Sequence, residues 1–223
     1  MNGRNDQAME REMIDLYTFP TPNGWKASIM LEEVGLPYNT HIVHIGKDEQ
    51  FKPEFLKISP NNKIPAIVDS DGPDGKPISV FESGAILVYL AQKTKSPLLP
   101  SDPRGFTNVL QWVFFQMASV GPMFGQMGYF VKFAKEKIPH GIERYTNESK
   151  RILGVMDKQL SANAYLAGPD YSIADIACHG WVISAGGMLG FNLADWPNVK
   201  RWHETVGARP AVQRGLKVPQ LPT

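Results

Sequence analysis

One stretch of the chain, residues 59–84, constrains the fold most, because it predicts a β-hairpin followed by a helix. It contains Ser-Pro-Asn-Asn-Lys-Ile-Pro-Ala-Ile-Val-Asp at 59–69, a turn-rich link, and Phe-Glu-Ser-Gly at 81–84. Pro65 cannot donate to a strand ladder, so it predicts the start or the edge of a strand. If the bond before Pro65 is cis, the backbone groups of Ile64 turn outward, where they could pair with an extended peptide, as in strand addition.

The second half of this stretch carries groups that suit an amino-acid terminus. Residues 77–81 alternate between apolar and polar and predict the returning strand, and Glu82 and Ser83 then open an apolar helix. Ser83 is a suitable cap, and the free N–H groups at a helix start can hold a carboxylate. Glu82 beside it could pair with an ammonium group. Ser83 alone would indicate only a helix cap and Pro65 alone only an edge proline, but together they predict a site for a peptide-like ligand.

A strand–turn–helix unit precedes the hairpin. Residues 13–17 predict a short strand, Thr-Pro-Asn-Gly at 21–24 predicts a turn, and residues 25–34 have the apolar spacing of a helix. Either Thr21 caps this helix with Asn23 one residue inside it, or Asn23 is itself the cap. In both cases a hydroxyl and a carboxamide lie at the positive end of a helix, where a thiolate would be stabilised. The alternative is a capped helix with an ordinary polar loop.

These motifs resemble the glutathione-binding, thioredoxin-like domain of the cytosolic glutathione transferases. Tyr-Ser-Ile-Ala-Asp-Ile-Ala at 171–177 resembles the capped helix at the centre of that family's helical domain. The chain is most similar to the nu-class subgroup, which comprises bacterial disulfide-bond oxidoreductases and has fungal nitrogen-regulator relatives. Three strings carry the subgroup resemblance: Thr-Pro-Asn-Gly at 21–24, Ile-Ser-Pro-Asn-Asn-Lys-Ile-Pro-Ala-Ile-Val-Asp at 58–69, and Ile-Glu-Arg-Tyr at 142–145. The likeness extends over about residues 13–215.

The expected fold is an α/β thioredoxin-like N-terminal domain followed by an all-α C-terminal domain. Three prolines within seven residues near position 100 forbid a continuous helix there and indicate a linker. The predicted parts are a disordered extension at 1–12, a glutathione-binding domain at 13–93, a linker at 94–104 and a helical domain at 105–223. The predicted helices of the last part lie at about 105–137, 142–161, 172–186 and 196–207, with a short one near 211.

The resemblance implies that the chain activates the thiol of bound glutathione without a nucleophile of its own. Thr21, Asn23 and the helix start would contact the glutathione sulfur, and the backbone of Ile64 would pair with the cysteinyl residue. The remaining positions are Glu82 and Ser83 for the γ-glutamyl end, Gln50 and Lys63 for the glycyl carboxylate, and Arg144 for positive charge over the sulfur. Arg144 could instead form an ordinary surface ion pair. Tyr17, at a position that other classes use for catalysis, ranks below Thr21 and Asn23.

Charge and cysteine content limit the possible partners. The net charge is +1, with acidic and basic residues interspersed, which favours neither nucleic acid nor an anionic membrane. The single cysteine, Cys178, cannot form an internal disulfide, and no metal-ligand spacing is present. The single cysteine favours a reducing, cytoplasmic setting. The resemblance implies glutathione as co-substrate, with no metal and no nucleotide. The uncharged, aromatic-rich stretch at 105–131 predicts a kinked helix buried partly against a second subunit of a homodimer, and its polar residues argue against a membrane span.

Three functions remain open from the sequence. The subgroup motifs favour glutathione-dependent reduction of disulfide bonds, with some transferase or peroxidase activity. That chemistry needs room for a second glutathione, or for glutathione disulfide, beside the first. The second function is a glutathione S-transferase that conjugates small electrophiles. The third is a non-catalytic glutathione-binding regulator, although intact Thr21, Asn23, Glu82 and Ser83 argue against a complete loss of turnover.

Overall fold

The computed structural model describes residues 13–221, so the predicted disordered extension at 1–12 lies outside the described residues. The chain forms two compact units. The first contains the described residues up to Thr94 and those from Pro210 onward, and the second is Lys95–Arg209. Both units have the secondary structure predicted for them, an α/β unit followed by a helical one.

Within residues 13–221, the first unit is built on a four-stranded mixed sheet with the order β2-β1-β3-β4. Its strands are β1 (Ile14–Thr18), β2 (Tyr38–Ile42), β3 (Ala66–Asp69) and β4 (Ile78–Phe81). The helices are α1 (Gly24–Val34), the one-turn α2 (Pro53–Leu56) and α3 (Ser83–Lys93). β1 runs parallel to β2 and antiparallel to β3, and β4 runs antiparallel to β3. The sequence thus predicted β1, β3 and β4 of this sheet.

The register of the sheet brings three chain segments to one edge. Tyr17, near the end of β1, pairs with Ala66 at the start of β3, and Ala66 pairs with Phe81 at the end of β4. Because β3 is antiparallel to both neighbours, the chain leaves β1, enters β3 and leaves β4 on the same side. The Thr-Pro-Asn-Gly turn, the Ile64–Pro65 pair and the Glu82–Ser83 pair therefore all adjoin this edge, which we call the β3-start edge.

Apolar side chains from the strands and helices form the core of the first unit. In β1, Ile14 and Leu16 are fully buried and alternate with half-buried Asp15 and Tyr17, as expected for a strand with one covered face. The apolar stripe predicted for α1 is buried at Ala27, Met30 and Leu31, and Val34 at its end is half-buried. α3 packs against α1, and its apolar residues Ile86, Leu87 and Leu90 are buried as well.

The second unit is made of helices. They are α4 (Pro103–Phe115), α5 (Gly121–Gly128), α6 (Pro139–Ala162), α7 (Ile173–Gly186) and α8 (Pro197–Gly207). A π-helical segment, Gln116–Val120, interrupts the first predicted long helix just before Gly121-Pro122, where the sequence predicted a kink. Proline lacks the N–H that an α-helix needs, so a local change of helix type is expected beside it. No helix within residues 13–221 is long and apolar enough to cross a membrane.

The capped helix that the sequence predicted at 171–177 is α7, and its start forms a buried capping box. Asp175 is fully buried and accepts hydrogen bonds from the backbone N–H groups of Leu166 (3.0 Å) and Ser172 (2.9 Å). It also accepts from Nε1 of Trp202 at 2.7 Å, which joins α7 to α8. Ser172 Oγ accepts from the N–H of Ala174 at 3.3 Å. This carboxylate therefore has a structural role in joining α7 to its neighbours.

The last helix, α9 (Pro210–Gly215), packs in the first unit and not in the helical one. Ser28 Oγ of α1 donates to the carbonyl oxygen of Gly215 at 2.7 Å. A Cβ at Gly215 would lie 2.6 Å from backbone atoms of Ile29, so only glycine permits this close approach. Arg214 forms an ion pair with Glu32 of α1 at 2.6 Å. The predicted helical domain of residues 105–223 thus differs from the structure, in which residues 210–221 belong to the first unit.

Candidate active site

Thr21 caps the start of α1. Its Oγ1 accepts a hydrogen bond from the N–H of Gly24 at 3.1 Å, and its carbonyl oxygen accepts from the N–H of Trp25 at 3.0 Å. Asn23 already has helical dihedral angles (φ −81°, ψ −39°), and its side chain makes no capping hydrogen bond. Of the two arrangements that the sequence left open, the structure has Thr21 as the cap and Asn23 in the first turn. The Thr21 hydroxyl keeps its own hydrogen as a donor.

Gly24 fixes how closely the turn packs on the start of α1. A Cβ at this position would fall well inside van der Waals contact with the carbonyl oxygen of Phe19, and 2.5 Å from Oγ1 of fully buried Thr18. No side chain larger than hydrogen fits without moving the loop. The glycine therefore holds Thr21 and Asn23 close to the end of β1, at the β3-start edge.

Lys26 joins the two halves of the candidate site, and the sequence analysis did not single it out. It is only 1% exposed, and its Nζ donates to Asn23 Oδ1 at 2.9 Å and to Ser83 Oγ at 3.2 Å. Lysine is almost never fully buried without polar partners. The signal that could have revealed it is its position four residues before Met30, because that places a charged residue on the apolar stripe of α1.

The Ile64–Pro65 peptide bond is cis, which was one of the options that the sequence raised. Among the loop and cap hydrogen bonds of residues 13–221, none uses the backbone N–H or C=O of half-buried Ile64. Lys63 is exposed, and its carbonyl oxygen accepts from Oγ of fully buried Ser59 at 2.9 Å. The hydrogen bond from buried Ser59 thus holds the turn before β3 in place. The backbone N–H and C=O of Ile64 can still pair with an extended ligand.

Glu82 has a backbone conformation that few glutamates adopt. Its backbone angles are φ 70° and ψ 115°. Residues other than glycine rarely adopt a positive φ, and those that do often lie at functional sites. Ser83, which the sequence predicted as the cap of α3, is instead its first residue, with Glu82 at the capping position. The Glu82 side chain makes no capping bond, and Asn61 Nδ2 contacts its Oε1 at 3.4 Å. The first N–H groups of α3 can therefore receive a carboxylate from a ligand.

Gln50 lies in a 3₁₀ turn, Glu49–Phe51, between β2 and α2. Its side chain is half-buried, and its Oε1 is shielded from solvent without a hydrogen-bond partner among residues 13–221. Buried polar atoms without partners are rare in proteins. This amide oxygen is therefore suited to accept a hydrogen bond from a ligand.

Tyr17 is engaged elsewhere on the sheet. Its ring stacks on His41 with centroids 4.6 Å apart, and it borders a cavity of about 220 Å³ together with Val43 and Phe55. Burial, with a smaller contribution from Asp15, raises the pKa of the Tyr17 phenol. These contacts agree with placing Tyr17 below Thr21 and Asn23 as a group for sulfur.

Arg144 belongs to the second unit, where it lies exposed on α6. It lines a cavity of about 660 Å³ that also includes His140 and Arg151. Arg151 forms a bidentate pair with Glu148 at 2.7 and 2.8 Å. That pair, with a smaller contribution from Arg144, lowers the pKa of Glu148. None of the ion pairs found within residues 13–221 involves Arg144.

Cys178 is fully buried in α7, as predicted for a cysteine that acts as a small apolar residue. The described part of the chain contains no group of three or more histidine, cysteine, aspartate or glutamate side chains that could hold a metal ion.

A thioredoxin-like sheet with a cis-proline before β3 and a helix start beside it, followed by an all-helical unit, defines the glutathione transferase class of proteins. The chain matches the family description "Glutathione S-transferase, N-terminal domain" over residues 21–93 and "Glutathione S-transferase, C-terminal domain" over residues 123–210. The chain belongs to the glutathione S-transferase family, which confirms the predicted family and fold.

Individual relatives support the subgroup as well. The chain is 50% identical to the disulfide-bond oxidoreductase YfcG of Escherichia coli over 94% of this chain and 97% of that protein. A glutathione transferase from Burkholderia graminis, with two glutathione molecules bound per subunit, is 50% identical with a TM-score of 0.89, covering 95% and 90% of the two chains. One from Pseudomonas putida, with one glutathione disulfide per subunit, is 47% identical with a TM-score of 0.88, covering 97% and 96%.

Proposed function

We propose that this protein is a glutathione-dependent disulfide-bond reductase with some transferase or peroxidase activity. The observation that carries the proposal is the convergence of Thr21 and Asn23, the Ile64 backbone, and Glu82 and Ser83 at the β3-start edge. The relative named as a disulfide-bond oxidoreductase, and the relatives that bind two glutathiones or one glutathione disulfide, support the same chemistry.

The thiol of glutathione would be activated at the start of α1. The Thr21 hydroxyl and the Asn23 carboxamide would donate hydrogen bonds to the sulfur, and the helix dipole would favour the thiolate further. A free cysteine thiol has a pKa of about 8.5, and a helix N-terminus lowers such a value. The Ile64 backbone would meanwhile pair with the cysteinyl residue and hold the sulfur in place.

The two ends of glutathione would be bound by different groups. The γ-glutamyl carboxylate would accept from Ser83 and the first N–H groups of α3, and Glu82 would pair with the γ-glutamyl ammonium. Gln50 and Lys63 would reach the glycyl carboxylate. We also propose that Arg144 contributes positive charge to the reacting sulfur.

The reaction would proceed by two exchanges. The first glutathione thiolate attacks one sulfur of the substrate disulfide, so that a mixed disulfide forms and one substrate thiolate leaves. A second glutathione thiolate attacks the glutathione sulfur of this mixed disulfide, which forms glutathione disulfide and releases the second substrate thiolate. Two glutathione thiols are oxidised, one disulfide is reduced, and the two thiol protons end on the products.

The test is reduction of 2-hydroxyethyl disulfide by glutathione, coupled to glutathione reductase. The wild-type protein should turn over well above the uncatalysed rate, and Asn23→Ala should lose about 10- to 100-fold, as expected for one charge-assisted hydrogen bond of about 1.5–3 kcal/mol. Asn39→Ala is the matched control, because Asn39 is exposed and its side chain donates to Asp15 at 3.2 Å. Equal turnover in wild type and Asn23→Ala would remove Asn23 from the mechanism.

A second candidate function is conjugation of glutathione to small electrophiles, which the same activated thiolate would perform. An activated aryl chloride offered in place of the disulfide separates the two, because only conjugation consumes it. Glutathione binding without turnover of either substrate would favour the third candidate, a non-catalytic regulator. The single buried cysteine suits a reducing, cytoplasmic compartment.

We also propose a homodimer. The large apolar side chains Phe114, Tyr129 and Phe133 are 64%, 52% and 67% exposed. Phe114 of α4 and Tyr129 lie in the stretch at 105–131 that the sequence assigned partly to a subunit contact. Phe133 follows it at the end of the second π-helical segment, Tyr129–Phe133. Large exposed apolar side chains on one stretch mark interaction surfaces. Light scattering coupled to gel filtration should give twice the chain mass of 24.8 kDa.

A further inference from the structure

We infer that Lys26 is a positioning residue for the glutathione site. By donating to Asn23 and Ser83, it orients both side chains so that they act as hydrogen-bond donors toward glutathione. This inference rests on the proposed function, since it concerns how the same site presents its donors. Lys26 is 1% exposed and reaches Asn23 of the sulfur end and Ser83 of the γ-glutamyl end with one ammonium group. The same Nζ therefore donates one hydrogen bond to each end of the candidate site.

The contact with Asn23 fixes the orientation of its carboxamide. An ammonium has only donors, so it selects the oxygen of the amide, and Oδ1 is the atom that lies 2.9 Å from Nζ. The Nδ2 hydrogens are then the groups that Asn23 directs away from Lys26. A thiolate needs donors, so this orientation is the productive one, whereas the flipped amide would present an oxygen to a negative sulfur.

The contact with Ser83 has the same effect at the other end. Ser83 Oγ lies 3.2 Å from Nζ and accepts from it, so the hydroxyl hydrogen is directed away from Lys26. A γ-glutamyl carboxylate is an acceptor and requires that donor. One buried lysine therefore makes two neutral side chains, 60 residues apart in the sequence, into donors for the two negative groups of one ligand.

The charge of Lys26 also acts on the sulfur. A thiolate bound to Nδ2 of Asn23 would be separated from Lys26 Nζ by the carboxamide group. The distance from the sulfur to Nζ would be about 6 Å, within the range where an opposite charge lowers a pKa. Burial reduces the screening of this interaction by water and salt. Loss of the ammonium should therefore raise the thiol pKa of bound glutathione by about one unit, in addition to weakening binding.

The experiment measures two quantities for Lys26→Met, a change that keeps the unbranched stem and removes the donors and the charge. The dissociation constant of glutathione comes from calorimetric titration, and the thiol pKa of bound glutathione comes from thiolate absorbance near 240 nm at saturation. The expected result is at least about tenfold weaker binding and a thiol pKa raised by about one unit. Lys26→Gln keeps a donor without a charge and should raise the pKa with a smaller loss of binding.

The matched control is Lys93→Met. Lys93 also forms a partly buried contact in the first unit, 2.9 Å from Asp69, but Asp69 lies at the opposite end of β3 from the β3-start edge. This variant should lose thermal stability without any change in the thiol pKa of bound glutathione. A purely structural role for Lys26 would give the same pattern in the two lysine variants.

Each result separates this inference from the proposed function. Folded Lys26→Met with wild-type glutathione affinity and thiol pKa would overturn the role of Lys26 alone. A wild-type protein that binds no glutathione would overturn the proposed function together with it. If neither Lys26 variant folds, the wild-type protein decides by NMR: the Asn23 Nδ2 protons, assigned by their loss in Asn23→Ala, should titrate with the bound thiol. Resonances that do not follow that titration would contradict the predicted amide orientation.

Discussion

His179 provides a test of the packing in the second unit, because its buried surroundings disfavour the charged imidazolium form of the side chain. It is 1% exposed in α7, and its Nε2 lies 3.2 Å from the carbonyl oxygen of His203. A carbonyl only accepts, so Nε2 must carry the hydrogen of the neutral ring. The ring also stacks on His203 and meets Trp202 edge-on, while its Nδ1 is shielded from solvent without a partner among residues 13–221.

Burial, reinforced by neighbouring His203, lowers the pKa of His179 from 6.5 to about 3. The folded protein therefore binds fewer protons here than the unfolded chain, so the stabilisation is present above pH 6.5 and is lost as the pH falls toward 3. The shift of about 3.5 units corresponds to about 5 kcal/mol at most, at about 1.36 kcal/mol per unit. Between about pH 7 and about pH 5 the same linkage gives a loss of about 2 kcal/mol.

The assay is urea unfolding of the full chain at these two pH values, with wild type compared to His179→Phe. The variant cannot titrate at this position, so its stability should fall by about 2 kcal/mol less than that of wild type. The comparison also cancels the contribution of Asp175, whose carboxyl pKa is raised by burial. His140→Gln, an exposed histidine of the same unit, should behave as wild type. An identical pH dependence in wild type and His179→Phe would refute the reasoning.

Three further substitutions test other parts of the molecule. Gly24→Ala should lower the free energy of unfolding by about 2–4 kcal/mol and weaken glutathione binding, because the new Cβ collides with backbone in the turn. Urea unfolding and glutathione titration measure these two effects. Asp175→Asn should lower the free energy of unfolding by about 3–5 kcal/mol, because donors from Leu166 and Trp202 lose their charged acceptor. An unchanged melting temperature would contradict the structural role of Asp175. Arg144→Ala should change stability by less than about 0.5 kcal/mol but lower disulfide turnover, since the side chain is exposed and outside the observed ion pairs; full turnover would exclude it from the site.

Local sequence features were sufficient for the sheet and its edge. The alternation in β1 and β4, the proline before β3 and the turn-forming residues between β3 and β4 are all short-range signals. Together they predict that the Ile64–Pro65 pair and the Glu82–Ser83 pair belong to one site. The register, in which Ala66 pairs with Phe81, places these residues as expected.

Other features depend on contacts between residues far apart in the chain, which a single sequence does not reveal. The position of α9 follows from the close approach of Gly215 to α1, which pairs residues almost 190 positions apart. Lys26 stands in the apolar stripe of α1, but its contact with Ser83 lies 57 residues further on. The positive φ of Glu82 has no propensity signal, because glutamate rarely adopts that conformation, and so Ser83 was predicted at the capping position instead.

The most direct test of the glutathione site is a crystal structure of the wild-type protein with glutathione bound. The account predicts that the sulfur lies within hydrogen-bond distance of Thr21 Oγ1 and Asn23 Nδ2, and that the cysteinyl backbone pairs with Ile64. It also predicts that the γ-glutamyl carboxylate contacts Ser83 at the start of α3. Glutathione bound away from the β3-start edge, or bound there with its sulfur turned away from α1, would contradict the account.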